Sequence, residues 1–545
     1  MILLKLDARC WLVFLILTQC TTDALKPEPP ILQAPGSSGH GADAVTGGSG
    51  RAQAGGDSGE TSGARASAAD GGSDPVEVTK PAPDQSNSDA GSSESDADMP
   101  PSDAEPSPGG SNDAAVPTDA MVTAPRSVVA IEQADYLTFG QGLGVSNDRL
   151  VIAGLTKGLD DATGPGVAQT RVPEGSGWSN PVLLSAATVD SSSSDAFSTS
   201  LMLAGDTLVI GAATTITQQR AGVVYVFKYE GAGWQMQAQV RPTTPSLSTE
   251  TFGARVAIAA DTLVALAVEP DLLSPYGPTP LGSVYVFTQR GSSWEQVAQL
   301  RASNGKGGDR FGEALAVAGD TLVVGAPHED SRGQGVDGDM ANDISFPRAG
   351  EVPGVGAAYV FARRNGVWAQ EAYLKAADAA DLDFFGSSVA FDGRTLVIGA
   401  PGRSLGGQID RDSNVRRNAG AAYLFERGSA GWMQTGVLEP KNAGGSDRFG
   451  ASVALFGNRL LIGAPDEASA AHGVNGDAND DSAQGSGAAY LFERGSSGWR
   501  QVAYLKPTLT RDWGEFGSSV ALDAKRSVVG APGSSWGAGV VYVFE

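Results

Sequence analysis

Short apolar runs separated by turns rich in Gly, Asp, Asn and Ser dominate the chain from residue 126 onward. In the clearest unit, Ala314 to Ala318 and Leu322 to Gly325 are runs of strand length joined at Gly319-Asp320. Two such runs around a short Gly-containing turn are typical of a β-hairpin. The pattern therefore predicts paired antiparallel strands.

Two further strands complete each unit. A third apolar strand follows, as in Ala357 to Phe361 and Ala421 to Phe425. A fourth strand opens at a tryptophan, at Trp178, Trp234, Trp294, Trp368, Trp432 and Trp499. Four antiparallel strands that recur along a chain are typical of the blade of a β-propeller.

The unit recurs seven times, and one phenylalanine marks each copy. Successive marks lie 55 to 74 residues apart, at Phe139, Phe197, Phe252, Phe311, Phe385, Phe449 and Phe516. In the last four units, 14 residues separate this phenylalanine from the glycine of a Gly-Ala-Pro triplet. A fixed interval is expected across a two-strand hairpin, because a one-residue slip turns its side chains to the wrong face. Residues 126–545 are therefore predicted to form one all-β repeat domain.

The repeated motifs resemble those of a known family. The complete copies are Phe311-Gly312 with Gly325-Ala326-Pro327, Phe385-Gly386 with Gly399-Ala400-Pro401, Phe449-Gly450 with Gly463-Ala464-Pro465, and Phe516-Gly517 with Gly530-Ala531-Pro532. With the Ala-Ala-Tyr-Val-Phe strand, they resemble the FG-GAP repeats of the integrin α-subunit propeller. The resemblance implies a seven-bladed β-propeller of four-stranded blades over 126–545. The first three units depart from the motif.

The chain ends predict how this ring closes. Tyr542 to Glu545 belongs to a third strand with no fourth strand after it. Other units place an apolar residue 11 positions before the next motif phenylalanine, and Val128 stands at that distance before Phe139. Ser127 to Glu132 is therefore predicted to complete the seventh blade, with Val128 in the apolar position.

The first 20 residues indicate export. Lys5 and Arg9 precede an apolar run from Trp11 to Leu17, too short to span a bilayer but suited to a signal peptide. The run ends at Cys20 and resembles the lipobox of bacterial lipoproteins, which implies lipidation of Cys20 and a membrane-anchored protein at the cell envelope or surface. Gln19 departs from that motif, and cleavage after Ala24 is the alternative.

Residues 21–125 are predicted to be a disordered linker. The segment contains no Phe, Tyr or Trp, and its 17 acidic residues against 4 basic residues give a net charge of -13. Such a composition cannot bury enough apolar area to offset the entropy of ordering. The whole chain has a formal net charge of -24 and no basic stripe, which argues against a nucleic-acid partner.

Two acidic loops are candidates for metal binding. The integrin-type cation loops are not carried over, because the turns at the matching positions are too short and too poor in carboxylates. The loops between the second and third strands instead alternate Asp, Asn and Gly, and carboxylate and amide oxygens suit calcium. The candidate ligands are Asp337, Asp339, Asp343, Asn475, Asp477 and Asp481. The alternative is solvated Asx turns, which the same residues favour.

The long loops of units four to six are expected to form one raised patch that contacts a protein or glycan at the cell surface. Candidate contact residues are Arg411, Arg416, Arg417 and Trp536. The six strand-opening tryptophans are expected to pack between blades, whereas Trp513 and Trp536 lie outside their register.

No catalytic residues are assigned. The repeat domain has no cysteine, and its only histidines are His328 and His472. His328 stands beside Glu329 and Asp330, and Asp466-Glu467 takes the matching place two units later, a recurrence that favours a structural role. The first hypothesis is therefore a tethered, monomeric, non-enzymatic binding or adhesion module. The alternatives are a glycan-active hydrolase or lyase and a structural envelope protein.

Overall fold

Every regular element of the described structure is a β-strand, which confirms the all-β prediction. The computed structural model describes residues 128–132, 136–157, 163–185, 196–213, 222–231, 233–243, 251–271, 279–341, 354–404, 418–533 and 538–545. Within these ranges no helix is long and apolar enough to cross a membrane. The predicted signal segment 1–20 and linker 21–125 lie outside the described residues.

Thirty strands are found in these ranges. They are β1 (Val128–Glu132), β2 (Tyr136–Ser146), β3 (Arg149–Lys157), β4 (Thr163–Arg171), β5 (Pro173–Glu174), β6 (Gly177–Trp178), β7 (Val182–Ser185), β8 (Ala196–Ala204), β9 (Thr207–Ala213), β10 (Val223–Glu230), β11 (Gly233–Val240), β12 (Val256–Ala259), β13 (Thr262–Asp271), β14 (Thr279–Arg290), β15 (Ser293–Leu300), β16 (Ala314–Ala318), β17 (Thr321–Ala326), β18 (Ala357–Arg364), β19 (Val367–Leu374), β20 (Ser388–Phe391), β21 (Thr395–Ala400), β22 (Ala421–Gly428), β23 (Gly431–Leu438), β24 (Ser452–Phe456), β25 (Arg459–Ala464), β26 (Ala488–Gly495), β27 (Gly498–Leu505), β28 (Ser519–Leu522), β29 (Ser527–Ala531) and β30 (Val540–Phe544).

Seven four-stranded antiparallel sheets form the blades, which confirms the predicted β-propeller. Blade one contains β2, β3, β4 and β7. Blades two to six each take four consecutive strands, β8–β11, β12–β15, β16–β19, β20–β23 and β24–β27. Blade seven contains β28, β29, β30 and β1. The first strands of neighbouring blades contact one another around the ring, including β28 of blade seven with β2 of blade one.

The N-terminal strand closes the ring as predicted, but with a different residue in the apolar position. β1 pairs antiparallel with β30, and Ile131 lies opposite Val541. In blade four the matching partners are Leu374 and Ala358. Ile131 is buried whereas Val128 is only partly buried, so the expectation for Val128 was wrong by three residues. The connection from β1 to β2 is shorter than the other connections between blades. Counting 11 positions back from Phe139 therefore reaches a residue that precedes the buried one.

Blade one corrects a second expectation. Trp178 does not open its fourth strand, because Gly177–Trp178 pairs with Pro173–Glu174 in a separate two-stranded sheet. The fourth strand is instead β7, which pairs with β4. The motifs of this unit are degenerate, so the sequence provided little support for the position of its fourth strand.

The motif phenylalanines fill the blade cores. Phe311 is 3% exposed and meets Tyr359 and Phe361 of the third strand edge-on, with ring centroids 5.4 and 6.1 Å apart. Phe385, Phe449 and Phe516 repeat this arrangement in their own blades. Edge-to-face rings add to the stabilisation that burial alone provides.

The motif glycines place neighbouring blades in contact. A Cβ atom on Gly325 or Gly399 would collide with the carbonyl oxygen of the motif glycine of the next blade, Gly386 or Gly450. Both receiving glycines have positive φ, 94° and 88°. Two glycines are therefore required at each crossing, one for close approach and one for its backbone conformation.

Candidate functional site

The loops of the propeller that vary most in length share one end of the blades. In an antiparallel four-stranded blade, the loop between strands two and three leaves the same end as the connection from strand four to the next blade. Parallel bridges from Gly356 to Phe385, Gly420 to Phe449 and Gly487 to Phe516 tie these loops to the following blade. We call this end the loop face.

A buried ion pair lies beneath the loop face in blade four. Lys375 Nζ donates to Glu329 Oε2 at 2.7 Å, and both side chains are 0% exposed. Lys375 Nζ also donates to the carbonyl oxygen of Ser331 at 2.6 Å. Asn304 Nδ2 donates to Glu329 Oε1 at 3.0 Å. The pair joins the loop after β17 to the end of β19, and its hydrogen bonds offset part of the cost of burying two charges.

Two tyrosines extend this network. The Tyr359 hydroxyl donates to Asn304 Oδ1 at 2.8 Å, and the Tyr373 hydroxyl lies 2.6 Å from Ser331 Oγ. Burial, followed by the nearby Glu329 carboxylate, raises the pKa of both phenols above the ordinary value. Burial lowers the pKa of Lys375, and Glu329 opposes that shift. The phenols therefore act as neutral hydrogen-bonding groups.

Blade six contains the same arrangement. Lys506 Nζ donates to Glu467 Oε2 at 2.8 Å, with side chains 0% and 2% exposed. The Tyr504 hydroxyl donates to Glu467 Oε1 at 2.8 Å, and the Tyr490 hydroxyl to Asn442 Oδ1 at 3.1 Å. Glu329 and Glu467 thus brace the loops. Sequence reasoning noted their recurrence but missed the lysines, which follow Tyr-Leu at the end of the fourth strand in both units.

Three buried aspartates lie two positions before a motif phenylalanine. Asp309 Oδ2 accepts the Lys306 N–H at 2.7 Å, and Asp383 and Asp447 accept the N–H groups of Ala380 and Gly444 at 2.8 and 2.6 Å. Burial raises the pKa of Asp309 and of Asp447 to about 7, and that of Asp383 to about 6. Sequence reasoning did not single out these residues.

The candidate calcium ligands have structural hydrogen bonds. Asp337 Oδ1 accepts the Tyr373 N–H and Asn475 Oδ1 the Tyr504 N–H, both at 2.9 Å, which fastens each loop to the outer strand. Asp339 Oδ1 accepts the Ala341 N–H at 2.9 Å, and Asp477 Oδ1 the Asn479 N–H at 3.1 Å.

The contacts of Asp339 and Asp477 are Asx turns, which Asp favours without a metal. Among the described residues, no group of three or more His, Cys, Asp or Glu side chains could hold a metal ion. Asp481 is exposed, and Asp343 lies outside the described residues. The calcium hypothesis stays a prediction.

The other predicted site residues also lie outside the described part of the chain. They are Cys20, Arg411, Arg416, Arg417 and Trp536. Of the two histidines, His328 is half-buried with its ring 5.2 Å from Phe384, and His472 is exposed with Nδ1 3.2 Å from Thr510 Oγ1.

The strand-opening tryptophans of blades two to six, and Trp178 of the small two-stranded sheet, pack against the blades as expected. Each belongs to, or packs against, a hydrophobic cluster of the blades, and Trp368 and Trp432 are 7% exposed. Trp513 differs, because 62% of it is exposed on the connection from β27 to β28. It is a bulky residue with φ of 57°, a conformation that usually costs an L-residue about 1–3 kcal/mol.

This connection, residues 507–515, differs from its counterparts at several positions, and two of the differences place large apolar residues on the surface. Where the earlier connections carry Asn304, Asp378 or Asn442, it carries Leu509, which is 56% exposed. Where they carry Gly308, Leu382 or Ser446, it carries Trp513. Apart from Leu382, which is 45% exposed, the counterparts at these two positions are polar residues or glycine, so the scaffold does not require an apolar residue at either position.

Neighbouring loops are shaped to hold Trp513. The backbone N–H of Trp513 donates to the Gln484 carbonyl oxygen at 2.7 Å. A Cβ atom on Gly485 would lie 2.7 Å from Trp513 Cε3, and one on Gly533 would collide with the Trp513 carbonyl oxygen. The indole is therefore fixed along one edge and presented to solvent.

The FG-GAP repeat family matches residues 294–339, 368–425 and 432–492, which lie in blades three to six. No curated protein matches the chain. Among solved structures, the chain is similar to the X-ray structure of a hypothetical selenium-binding protein from Sulfolobus tokodaii, with 10% identity over 68% of this chain and 78% of that chain and a TM-score of 0.36. A likeness of this size carries no argument. The repeat match in blades three to six and the ring of seven four-stranded blades support a β-propeller of FG-GAP repeats similar to that of integrin α subunits.

Proposed function

We propose that this protein is a non-enzymatic binding or adhesion module that contacts a protein or glycan through its loop face. The observation that carries the proposal is the connection 507–515, where two apolar side chains, Leu509 and Trp513, are 56% and 62% exposed. The described counterpart connections expose one large apolar side chain at most, Leu382 at 45%. Exposed apolar groups on a rigid scaffold mark contact sites, and tryptophan is enriched among the residues that dominate binding.

The surroundings of these two residues support the same function. Arg511, Asp512 and His472 are exposed beside them on the same connection or on the loop that meets it. An apolar centre with a polar rim is the usual arrangement of a binding patch. The ion pairs of blades four and six support the proposal indirectly, because they stiffen the loops around the patch and reduce the entropy lost on binding.

The test is a binding panel with the intact protein and a double variant. Leu509→Asn with Trp513→Ser installs the residues that the preceding connection carries, so the fold should be kept. We expect this variant to lose at least about tenfold in affinity for whichever envelope polysaccharide, peptidoglycan fragment or host surface protein the parent binds. Val367→Thr, which removes a 67% exposed apolar side chain from β19, should leave binding unchanged.

Three results would contradict the proposal. Equal binding by the parent and the double variant would exclude the 507–515 patch. Release of new sugar ends from a polysaccharide would favour the hydrolase or lyase. An intact protein that binds no member of the panel and no cell would favour a structural envelope protein.

Membrane anchoring through Cys20 is part of the proposal. Lipid chains on this cysteine would hold the propeller at the envelope, since each buried methylene contributes about 0.8 kcal/mol to membrane association. The parent should then partition into the detergent phase and Cys20→Ser should not. Equal partitioning of both would favour ordinary cleavage after Ala24.

Calcium is tested by the melting temperature in excess calcium and in chelator. Because the oxygens of Asp339 and Asp477 already accept backbone N–H groups, we expect no difference. A ligand at 100 times its dissociation constant stabilises by about 2.7 kcal/mol. A rise of that size that disappears in Asp339→Ala/Asp477→Ala would instead show that the acidic loops bind calcium.

A further inference from the structure

A continuous chain of contacts crosses the loop face from blade four to blade five. The Asp309 carbonyl oxygen accepts the His328 N–H at 3.2 Å, and the His328 ring lies 5.2 Å from the Phe384 ring. Phe384 follows Asp383, whose carbonyl oxygen accepts the Gly402 N–H at 3.1 Å. Each aspartate therefore ties the connection before its blade to the loop between strands two and three of the same blade.

Both aspartate carboxyl groups are held in the same way. Asp309 and Asp383 are 4% and 2% exposed, and each Oδ2 accepts the N–H of the residue three positions earlier. The turn keeps this hydrogen bond as long as the carboxyl group remains buried. A neutral carboxyl stays there at a lower cost than an ionised one, which is drawn to water unless a cation pairs with it.

The groups around Asp309 do not favour ionisation. Glu329 and Asp330 face it from the loop after β17, and Lys306 comes from its own connection. Lys375 also lies close, but its ammonium is paired with Glu329. Burial and the two neighbouring carboxyl groups outweigh Lys306 and the Lys306 N–H, and the pKa of Asp309 rises to about 7.

Asp383 has a mixed environment. Arg403, from the loop after β21, favours ionisation, but the Arg403 guanidinium is already paired with Asp378. Asp378 and Asp381 of the same connection disfavour ionisation. Burial is the largest cause and raises the pKa of Asp383 to about 6. The two carboxyl groups therefore change charge close to neutral pH.

His328 does not titrate in this range. Burial, followed by the charge of Arg310, lowers its pKa to about 3, so the imidazole between the two aspartates is neutral near pH 7. The His328 ring keeps its contact with Phe384 across this range, because its own charge does not change. The contact between the two connections is therefore the same across this range, while the charges of Asp309 and Asp383 vary with pH.

We propose that Asp309 and Asp383 form a pH-sensitive latch, which holds the loop face of blades four and five closed when both carboxyl groups are neutral and loosens it when they ionise. The structure provides an internal reference. In the connection before blade seven, Gly514 stands where the aspartates stand elsewhere, so this connection has no such group. The latch concerns blades four and five, and it stands whether or not residues 507–515 bind a partner.

Amide hydrogen exchange of the intact protein, read by mass spectrometry at about pH 5.5 and about pH 8, tests the latch. After correction for the intrinsic exchange rate, protection in peptides covering 304–311 and 376–385 should fall at least about tenfold at the higher pH. Protection in a peptide covering 507–515 should not change. Asp309→Asn/Asp383→Asn keeps an oxygen for each N–H and should abolish the fall.

Three further variants keep the outcome decisive. Each single Asn variant should lose the pH dependence in its own connection first, which separates loss of the latch from general unfolding. Asp512→Asn, an exposed aspartate on the reference connection, should behave as the parent. Protection that is independent of pH in the parent, or equally pH-dependent in the double variant, would overturn the proposal.

Discussion

At the scale of single residues, the loop face rests on polar groups that are buried because their partners are buried with them. Glu329 with Lys375 and Glu467 with Lys506 are the clearest cases, each with an asparagine and two tyrosines around it. Blade five differs, because Arg403 replaces the glutamate and pairs with Asp378, while Glu439 stands at the lysine position. The scaffold therefore accepts different charge pairs provided that each is complete.

Removing one member of a buried pair should be costly. Lys506→Met leaves Glu467 charged and without its cation, so we expect a loss of about 3–5 kcal/mol in the free energy of unfolding, measured by urea denaturation. Arg290→Ala, which breaks an exposed pair with Glu295 at 3.8 Å, should change stability by less than about 1 kcal/mol. Equal effects of the two variants would show that the Lys506 pair is not desolvated in solution.

Asp447 should make stability depend on pH. Its pKa is about 7 in the folded protein against an ordinary value of 3.8, chiefly because it is buried. The folded state then binds more protons than the unfolded state between about pH 4 and about pH 7, so its contribution to stability falls as pH rises through that window.

Asp447→Asn should therefore be close to the parent near pH 4 and exceed it by a growing margin up to about pH 7, with a flatter slope by up to about 1.4 kcal/mol per pH unit. The measurement is urea denaturation across that range, with Asp512→Asn as the exposed control. A slope that the Asp447 substitution leaves unchanged would show that this carboxyl is ionised throughout.

At the scale of elements, the blades are joined where a loop meets the next motif phenylalanine. Gly356 has a φ of 86°, and a Cβ atom there would collide with the backbone of Phe385. Side chains reinforce the joints, as Gln370 Oε1 accepts the Ser303 N–H and Gln434 Oε1 the Ala377 N–H of the preceding blade, at 3.2 and 2.9 Å. Both glutamines stand two residues after a strand-opening tryptophan.

Gly356→Ala should weaken the joint between blades four and five. We expect a loss of about 2–4 kcal/mol, because the new methyl group meets backbone and the positive φ is strained. Gly366→Ala is the matched control, since φ is 80° there but no atom lies within 4 Å of the added Cβ. It should cost only about 1–2 kcal/mol of strain. Thermal melts that rank the variants in the opposite order would contradict the close approach.

At the scale of the whole molecule, stability depends on closing the ring through the N-terminal strand. β1 is the fourth strand of blade seven, so the two ends of the described propeller meet in one sheet. Ile131 is 6% exposed in a cluster with residues of blades one and seven, including Phe139 and Val541. Closure removes the free edge that an open arc of blades would expose.

Ile131→Asp should open the ring. A buried charge in place of an apolar side chain costs several kcal/mol, and we expect a loss of about 3–5 kcal/mol with faster amide exchange in 128–132 and 540–545. Ala130→Asp places the same charge on the exposed face of the same strand and should be close to neutral. Unchanged exchange at both ends in Ile131→Asp would show that β1 is not needed for closure.

The sequence alone determined the number of blades, their strand order and the closing strand. Those features follow from local periodicity and turn residues that repeat, so seven copies support one another even where single copies are degenerate. The predictions for Val128 and for the tryptophan of blade one were wrong. The first assumed that the connection before blade one has the same length as the others. The second assumed that the weak motif of blade one follows the pattern of the more complete units.

Tertiary structure decided what the side chains do. Glu329 and Lys375 lie 46 positions apart, and only the folded loop brings them together without water. The buried aspartates have unusual pKa values for the same reason, since a pKa depends on burial and on neighbours that come from other strands. The sequence placed Trp513 outside the register of the other tryptophans. Only the structure showed that its side chain is exposed and is therefore a candidate for contact with a partner. The repeat defines the scaffold, and the departures from it locate the proposed site.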